Sequence, residues 1–285
     1  LESLIRTADG VVDNFRPGTL ERRGLNVSAL LTDQPELLWC TITGFGPMSS
    51  RPGYDFVVQA ESGWMSITGE PDGSPMKVGV ALADVMAGRD ATISILAGLA
   101  SRGRGRTADE RRTFVSLAGS AVAALVNVAQ NALVSGQNAT RWGNAHANLV
   151  PYELFGAADR PIVIAVGSDS QWKSCARALG LDALAANEQL GTNAGRIANR
   201  ATIVTAIAER VASRPASHWL TALARAGVPA GIVRTVPEAL AEVDASPLTG
   251  VAPNAPGTVR LAPPKLDEHG ALVRQYGWEA FERLT

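Results

Sequence analysis

A single carboxylate, Asp84, stands where the pattern of the chain changes. The stretch Pro75–Gly88 holds a run of small and apolar residues, Val78 to Ala83, then Asp84, then a long apolar-rich segment, Val85 to Ala100. This pattern predicts a strand that delivers one acid to the start of a helix. Strand ends that lead into helix N-termini are where α/β proteins place reacting groups. A carboxylate there can act as a nucleophile toward an activated carbonyl. It can equally cap the helix, because Asp is among the best N-caps. Pattern alone favours the cap.

Other chemistry-bearing residues cluster in short loops. Asn14-Phe15-Arg16-Pro17-Gly18 offers an amide, a ring and a guanidinium, and Arg22 and Arg23 follow. Phe and Arg can sandwich a purine, and Arg pairs with phosphate; an ordinary turn with solvated arginines is the simpler account. Arg51-Pro52-Gly53-Tyr54-Asp55 adds a phenol and a second acid, although a tyrosine alone more often packs than reacts. Gly143, Asn144 and His146 lie in a polar stretch, Ser135–Ala147, where loop residues tend to carry function. A solvated histidine is the alternative. The three histidines, His146, His218 and His269, show no i, i+4 spacing, so no metal site is expected. Gly-x-Ser-x-Gly, Walker and complete Gly-x-Gly-x-x-Gly motifs are missing, which disfavours nicotinamide and nucleoside-triphosphate chemistry.

The elements that position these loops alternate early. Val11-Val12, Leu37–Phe45 and Thr113–Leu117 predict strands; Ser28–Gln34 and Asp55–Ser62 predict helices. That alternation argues for a parallel α/β sheet. Ile93, Leu96, Leu99 and neighbouring alanines form a helical stripe, and Ala118–Val134 predicts one long helix, buried or lying between domains. Farther on, Tyr152–Phe155 and Ile162–Val166 predict a hairpin. Amphipathic helices follow at Gln171–Leu179, Thr202–Ala212 and Ala216–Ala226, with a small strand at Val228–Val233. The proline-rich segment 246–264 is expected to return across the surface. The divisions are 1–140, 141–240 and 241–285: a large α/β domain, a small α+β domain and a C-terminal return to the large one.

The totals set bounds. The chain has 285 residues, 46% hydrophobic and 19% charged, with a formal net charge of −1. Near-neutral charge argues against nucleic acid or anionic membrane as the main partner. The densest basic run, Arg102 to Arg112, alternates with Gly, Thr, Asp and Glu and reads as a solvated loop. The two cysteines, Cys40 and Cys175, lack a metal or redox spacing and predict buried thiols in a cytoplasmic protein. No window reaches the ~18–20 apolar residues of a membrane span.

Taken in order, the motifs resemble a known family. They are Val-Val-Asp-Asn-Phe-Arg-Pro-Gly, Gly-Phe-Gly-Pro, Pro-Gly-Tyr-Asp, Gln-Ala-Glu-Ser-Gly, Ala-Asp-Val-Met-Ala-Gly, Gly-Asn-Ala-His-Ala-Asn-Leu-Val-Pro-Tyr and Ala-Val-Gly-Ser-Asp-Ser-Gln-Trp. The chain resembles the class III coenzyme A transferases (CaiB/BaiF type), whose relatives include formyl-CoA transferase and α-methylacyl-CoA racemase. The resemblance runs from about Ala8 to Pro263–His269. It implies a Rossmann-like large domain with a parallel sheet, a smaller α+β domain and an interlocked homodimer. By resemblance, Asp84 is the catalytic aspartate. Asn14, Phe15, Arg22 and Tyr54 contact CoA, and Asp55 lies near the thioester. Gly143, Asn144 and His146 belong to a loop over the active site. No permanent cofactor is implied; CoA and acyl-CoA are substrates, with a carboxylic acid as acceptor. Relatives carry a further N-terminal βαβ segment, on the order of eighty residues, which this chain is expected to lack. They also often have two acids after the Arg-Gly loop, where this chain has Thr113–Gly119 without either.

The implied chemistry is CoA transfer through an aspartyl mixed anhydride and an aspartyl-CoA thioester, with the 143–151 loop closing over the intermediate. One alternative is racemase chemistry, in which relatives place a histidine base where this chain has Tyr54. A tyrosine titrating near pH 10 is a poor base at neutral pH. Another is an inactive CoA-binding fragment.

Overall fold

The computed structural model describes residues 1–243, 246 and 261–284. The chain divides into two compact units, Leu1–Gly143 and Asn144–Thr285. The tail groups with the second unit, where the sequence reading had it return to the first. Most of the expected return segment 246–264 lies outside the described residues.

The first unit is built on a parallel sheet of three strands in the order β1 (Gly10–Asp13), β2 (Leu38–Thr43), β3 (Arg112–Ser116). Gly10 pairs with Leu38 and Asp13 with Thr41; Trp39 pairs with Arg112 and Thr43 with Ser116. The central strand, Leu-Trp-Cys-Thr-Ile-Thr, is buried along most of its length, as expected for a parallel strand covered on both faces. One core gathers Val27, Leu30, Leu31, Leu37 and Trp39. A second gathers Val58, Trp64, Ala83, Ala87, Leu117 and Ala121.

The helix Leu82–Ala100 packs against β2 and β3 through small residues. Ala83, Ala87, Ala91 and Gly98 are buried. A Cβ on Gly98 would come within 2.6 Å of Leu38 Cδ1. The close approach of helix and sheet therefore selects the alanines and glycine. It leaves Ile93 and Leu96 of the helical stripe largely exposed.

The long helix expected over Ala118–Val134 is two helices, Leu117–Ala123 and Val126–Ser135, bent by 72°. The indole N–H of Trp64 donates to the Ala121 carbonyl, the group that the Leu125 N–H would bind in a continuous helix. Leu125 instead bonds Val122, and Val126 takes φ 37°. The second helix has no buried residue; Leu133 and Val134 are about four-fifths exposed in this chain. Among the described residues no single helix is long and apolar enough to cross a membrane; the bent pair meets that test only when its two halves are taken together.

The second unit has an antiparallel sheet, β4 (Tyr152–Gly156), β5 (Pro161–Ala165) and β6 (Ala230–Ile232), in that order. Ile162 and Ile164 point inward from β5 at 0% exposure, while alternate residues face out. Helices Asp169–Ala178, Arg200–Ala212 and Ala216–Arg225 complete a core around Trp172, Ile203, Ile207 and Leu223.

Candidate active site

The loop after β1 is placed by Asp13, a residue the sequence reading passed over. Its buried carboxylate accepts from Trp39 Nε1 and Thr41 Oγ1, each at 2.7 Å, and from the Phe15 N–H at 3.0 Å. Three donors to one acid fix the exit of β1 against β2. Asn14 Nδ2 then donates to the Ile42 carbonyl at 2.9 Å. Its amide is thus engaged in joining the loop to the end of β2.

A cavity of about 180 Å³ opens there, lined by Asn14, Phe15, Arg16, Gly44, Arg51 and Tyr54, among others. Gly44 and Gly53 lie back to back, so a Cβ on either would strike the other's backbone. Arg51 lies 4.1 Å from the centre of the Phe45 ring and pairs with Glu61 at 2.5 Å. A second, more apolar cavity of about 330 Å³ shares Phe15, Arg16 and Thr43 and is also lined by Met48 and Phe114. Phe15 is half exposed and Tyr54 mostly so. Arg22 lines neither cavity; its guanidinium bonds Thr19 Oγ1 at 2.9 Å. Arg16 lines both and is the better-placed cation. Its position inside the Asn-Phe-Arg-Pro-Gly motif was the available signal.

Asp84 is neither at a strand end nor a cap. Residues 78–81 are irregular, and the helix starts at Leu82 with Ala81 as its N-cap, which makes no side-chain bond. Asp84 is the third helical residue. The capping is done by Asp55, 29 residues earlier. Its Oδ2 accepts from the Ala83 N–H at 2.7 Å and the Asp84 N–H at 3.2 Å. Gln59, fully buried, donates to Asp55 Oδ1 at 2.5 Å, accepts from the Val78 N–H at 2.8 Å and donates to the Val80 carbonyl at 3.3 Å. Both partners sit on the helix Asp55–Glu61, which starts next to Tyr54 at the cavity wall. Asp55 and Gln59 together lock the approach to Asp84. Partial burial, then the nearby Asp55 charge, raise the Asp84 carboxyl above the usual aspartate range.

The remaining candidates straddle the two units. Gly143 belongs to the first: its N–H donates to the Gly69 carbonyl at 3.0 Å, and φ is 57°. Asn144 and His146 belong to the second. Asn144 is exposed. His146 Nδ1 accepts from the Asn148 N–H at 3.0 Å, so the neutral ring carries its proton on Nε2. The backbone of this segment is held by side chains of the second unit. Arg200 donates to the carbonyls of His146 and Ala147, Asn193 to that of Asn148, and Arg196 to that of Val150. Asn193 and Arg196 stand on the helix Asn193–Ala198, and Arg200 opens the next one, Arg200–Ala212. Among the described residues no group of His, Cys, Asp and Glu is arranged to hold a metal ion.

Comparison with known proteins places this arrangement. Residues 1–270 match CoA-transferase family III. The chain belongs to that family. It is 38% identical to a succinate–glutarate CoA-transferase from Agrobacterium fabrum, over 84% of this chain and 60% of that protein. It is 34% identical to an acetyl-CoA:oxalate CoA-transferase from Acetobacter aceti, over 95% and 74%. The human succinyl-CoA:glutarate CoA-transferase is 35% identical, over 85% and 56%. The family member thus spans between about half and three-quarters of the length of these relatives. Its fold matches the crystal structure of a CaiB/BaiF family protein from Brucella suis with TM-score 0.79 and 35% identity, covering 96% of this chain and 78% of that one. A hypothetical protein from Mycobacterium tuberculosis matches with TM-score 0.80 and 27% identity, covering 95% and 78%.

Proposed function

We propose that this chain carries the reacting half of a CoA-transferase that moves CoA from an acyl-CoA thioester to a carboxylic acid, with Asp84 as the nucleophile. The observation that carries this reading is the Asp55–Gln59 lock, which ties the helix turn bearing Asp84 to the residue next to cavity-lining Tyr54, although Asp84 itself lines neither cavity. An Asp84 oxygen attacks the thioester carbonyl; the C–S bond breaks, leaving a mixed anhydride and CoA thiolate. The thiolate attacks the Asp84 carbonyl, expels the donor acid and leaves an aspartyl-CoA thioester. The acceptor carboxylate repeats the sequence in reverse and departs as its CoA ester. Raising the carboxyl makes its ionised form more nucleophilic.

The relatives' succinate, glutarate and oxalate support a dicarboxylate donor or acceptor. The exposed apolar residues Val126, Leu133 and Val134 support burial against a second copy, in line with the interlocked homodimer of the family. Asp84→Asn and Asp84→Ala should lose transfer to dicarboxylates by several orders of magnitude. In the wild type, hydroxylamine added during turnover should form a hydroxamate on Asp84, located by mass spectrometry. Full transfer by either variant sinks the assignment. Deuterium exchange at the α-carbon of a 2-methylacyl-CoA without transfer would favour the racemase reading instead.

A further inference from the structure

At the C-terminal end of the helix Leu82–Ala100, a second charged feature has no part in the proposed reaction. A recess of about 80 Å³ is lined by Glu36, Ser101, Arg102, Arg104, Arg106 and Arg111, with Leu38 at its wall. It lies where β2 and β3 begin, at the other end of the strands from the Asn14 loop. Four arginines line it against one glutamate. Arg102 is matched by Asp9 at 2.8 Å.

Arg111 is buried, 6% exposed, and its terminal nitrogens donate to the carbonyls of Leu31, Gln34 and Leu37. Its charge has no carboxylate partner among these bonds, and its Nε has no acceptor. Buried donors are normally satisfied, and leaving one unpaired is costly.

Complementing the helix dipole is one use for arginines after a helix C-terminus. That end carries only about half a negative charge, which Arg102 alone exceeds. The dipole also leaves the Arg111 Nε without an acceptor. A water needs roughly 10–15 Å³ of such space, so the recess has room for a larger group.

We infer that this recess binds a tetrahedral oxyanion, either inorganic phosphate or the phosphate of a small monoester. Its oxygens would supply the missing acceptors and charge for Arg104, Arg106 and Arg111. The basic run that looks like a solvated loop in the sequence thereby becomes a binding loop. This site is independent of CoA transfer.

Isothermal titration of the full chain tests it, with inorganic phosphate and with glycerol phosphate, in a chloride background of about 0.15 M to screen diffuse attraction. Arg104→Ala/Arg106→Ala is the variant, since both residues are exposed and the fold does not rest on them. One saturable site per chain is expected, with affinity falling about tenfold or more in the variant as charge-assisted hydrogen bonds are lost. Tighter binding of the monoester assigns the site to organic phosphates, and tighter binding of phosphate assigns it to the free ion. Absence of saturable binding by both probes overturns the inference, as does unchanged affinity in the variant.

Discussion

Asp55→Asn tests whether the acid beside Tyr54 is a positioning residue. Its two oxygens serve different donors: Oδ2 takes the Ala83 and Asp84 N–H groups, and Oδ1 takes Gln59 Nε2. An asparagine has one acceptor oxygen, so its NH₂ must face either the helix N-terminus or Gln59. Gln59 cannot turn over to compensate, because its own oxygen holds the Val78 N–H and its nitrogen the Val80 carbonyl. Ala83 is fully buried, so water cannot replace the lost acceptor there. Stranding one donor costs about 1–3 kcal/mol. Losing the negative charge at a helix N-terminus adds about 0.3–1 kcal/mol. The expected loss is roughly 1.5–4 kcal/mol, read as a lower urea midpoint with an unchanged slope. Asp84→Asn, measured in parallel, leaves every Asp55 bond in place. It should stay within about 0.5 kcal/mol of wild type while losing transfer. An Asp55→Asn protein as stable as wild type would refute the capping argument. So would an Asp84→Asn protein less stable than Asp55→Asn.

Two further outcomes follow from the second unit. Arg196 is 1% exposed and bonds Val150, Leu190 and Asp169; Asp169 is half exposed, so Arg196→Ala should destabilise by about 1–3 kcal/mol, the cost of stranding a buried carbonyl acceptor, measured by urea unfolding. Burial raises the Glu153 carboxyl, and the Arg200 charge opposes that shift only in part. A raised acid favours the folded state fully below the ordinary glutamate value of about 4.3, and that contribution is lost as pH rises through the folded value. Glu153→Gln should therefore flatten the fall of stability with pH just above that point. A steeper fall in the variant's series of urea midpoints would contradict this sign.

Much of the scaffold was legible in local pattern. The run Leu37–Phe45 reads as a strand from its apolar and β-branched residues ending at Gly44 and Gly46; that it is the buried central one came from the structure. The β4–β5 hairpin was visible in the turn at Ala158-Asp159-Arg160 followed by the β-branched run Ile162–Val166. The order of the motifs carried the family, since each loop between these elements keeps a recognisable set of residues. Local pattern failed where one residue's backbone is claimed from afar. Nothing in Ala118–Val134 announces a bend, because Trp64 makes it by taking the Ala121 carbonyl. Nor does the Ile93–Leu96 stripe reveal that the sheet approaches too closely for large side chains on the buried face.

Around Asp84, the sequence by itself determined that one acid opens a long helix and that a Tyr-Asp pair and an Asn-Phe-Arg loop accompany it. Residue types and order are local properties, and they suffice to recognise the family. Only the tertiary structure decided which acid does what. Asp55 caps the helix, because packing of Val58 and Trp64 with Ala83 and Ala87 in one core brings its carboxylate to the Ala83 N–H. Asp84 is thereby released from capping, and its carboxylate is left free for chemistry. Arg16 rather than Arg22 faces the cavities, because the Asp13 hub sets the exit of β1 and leaves Arg22 bonded to Thr19.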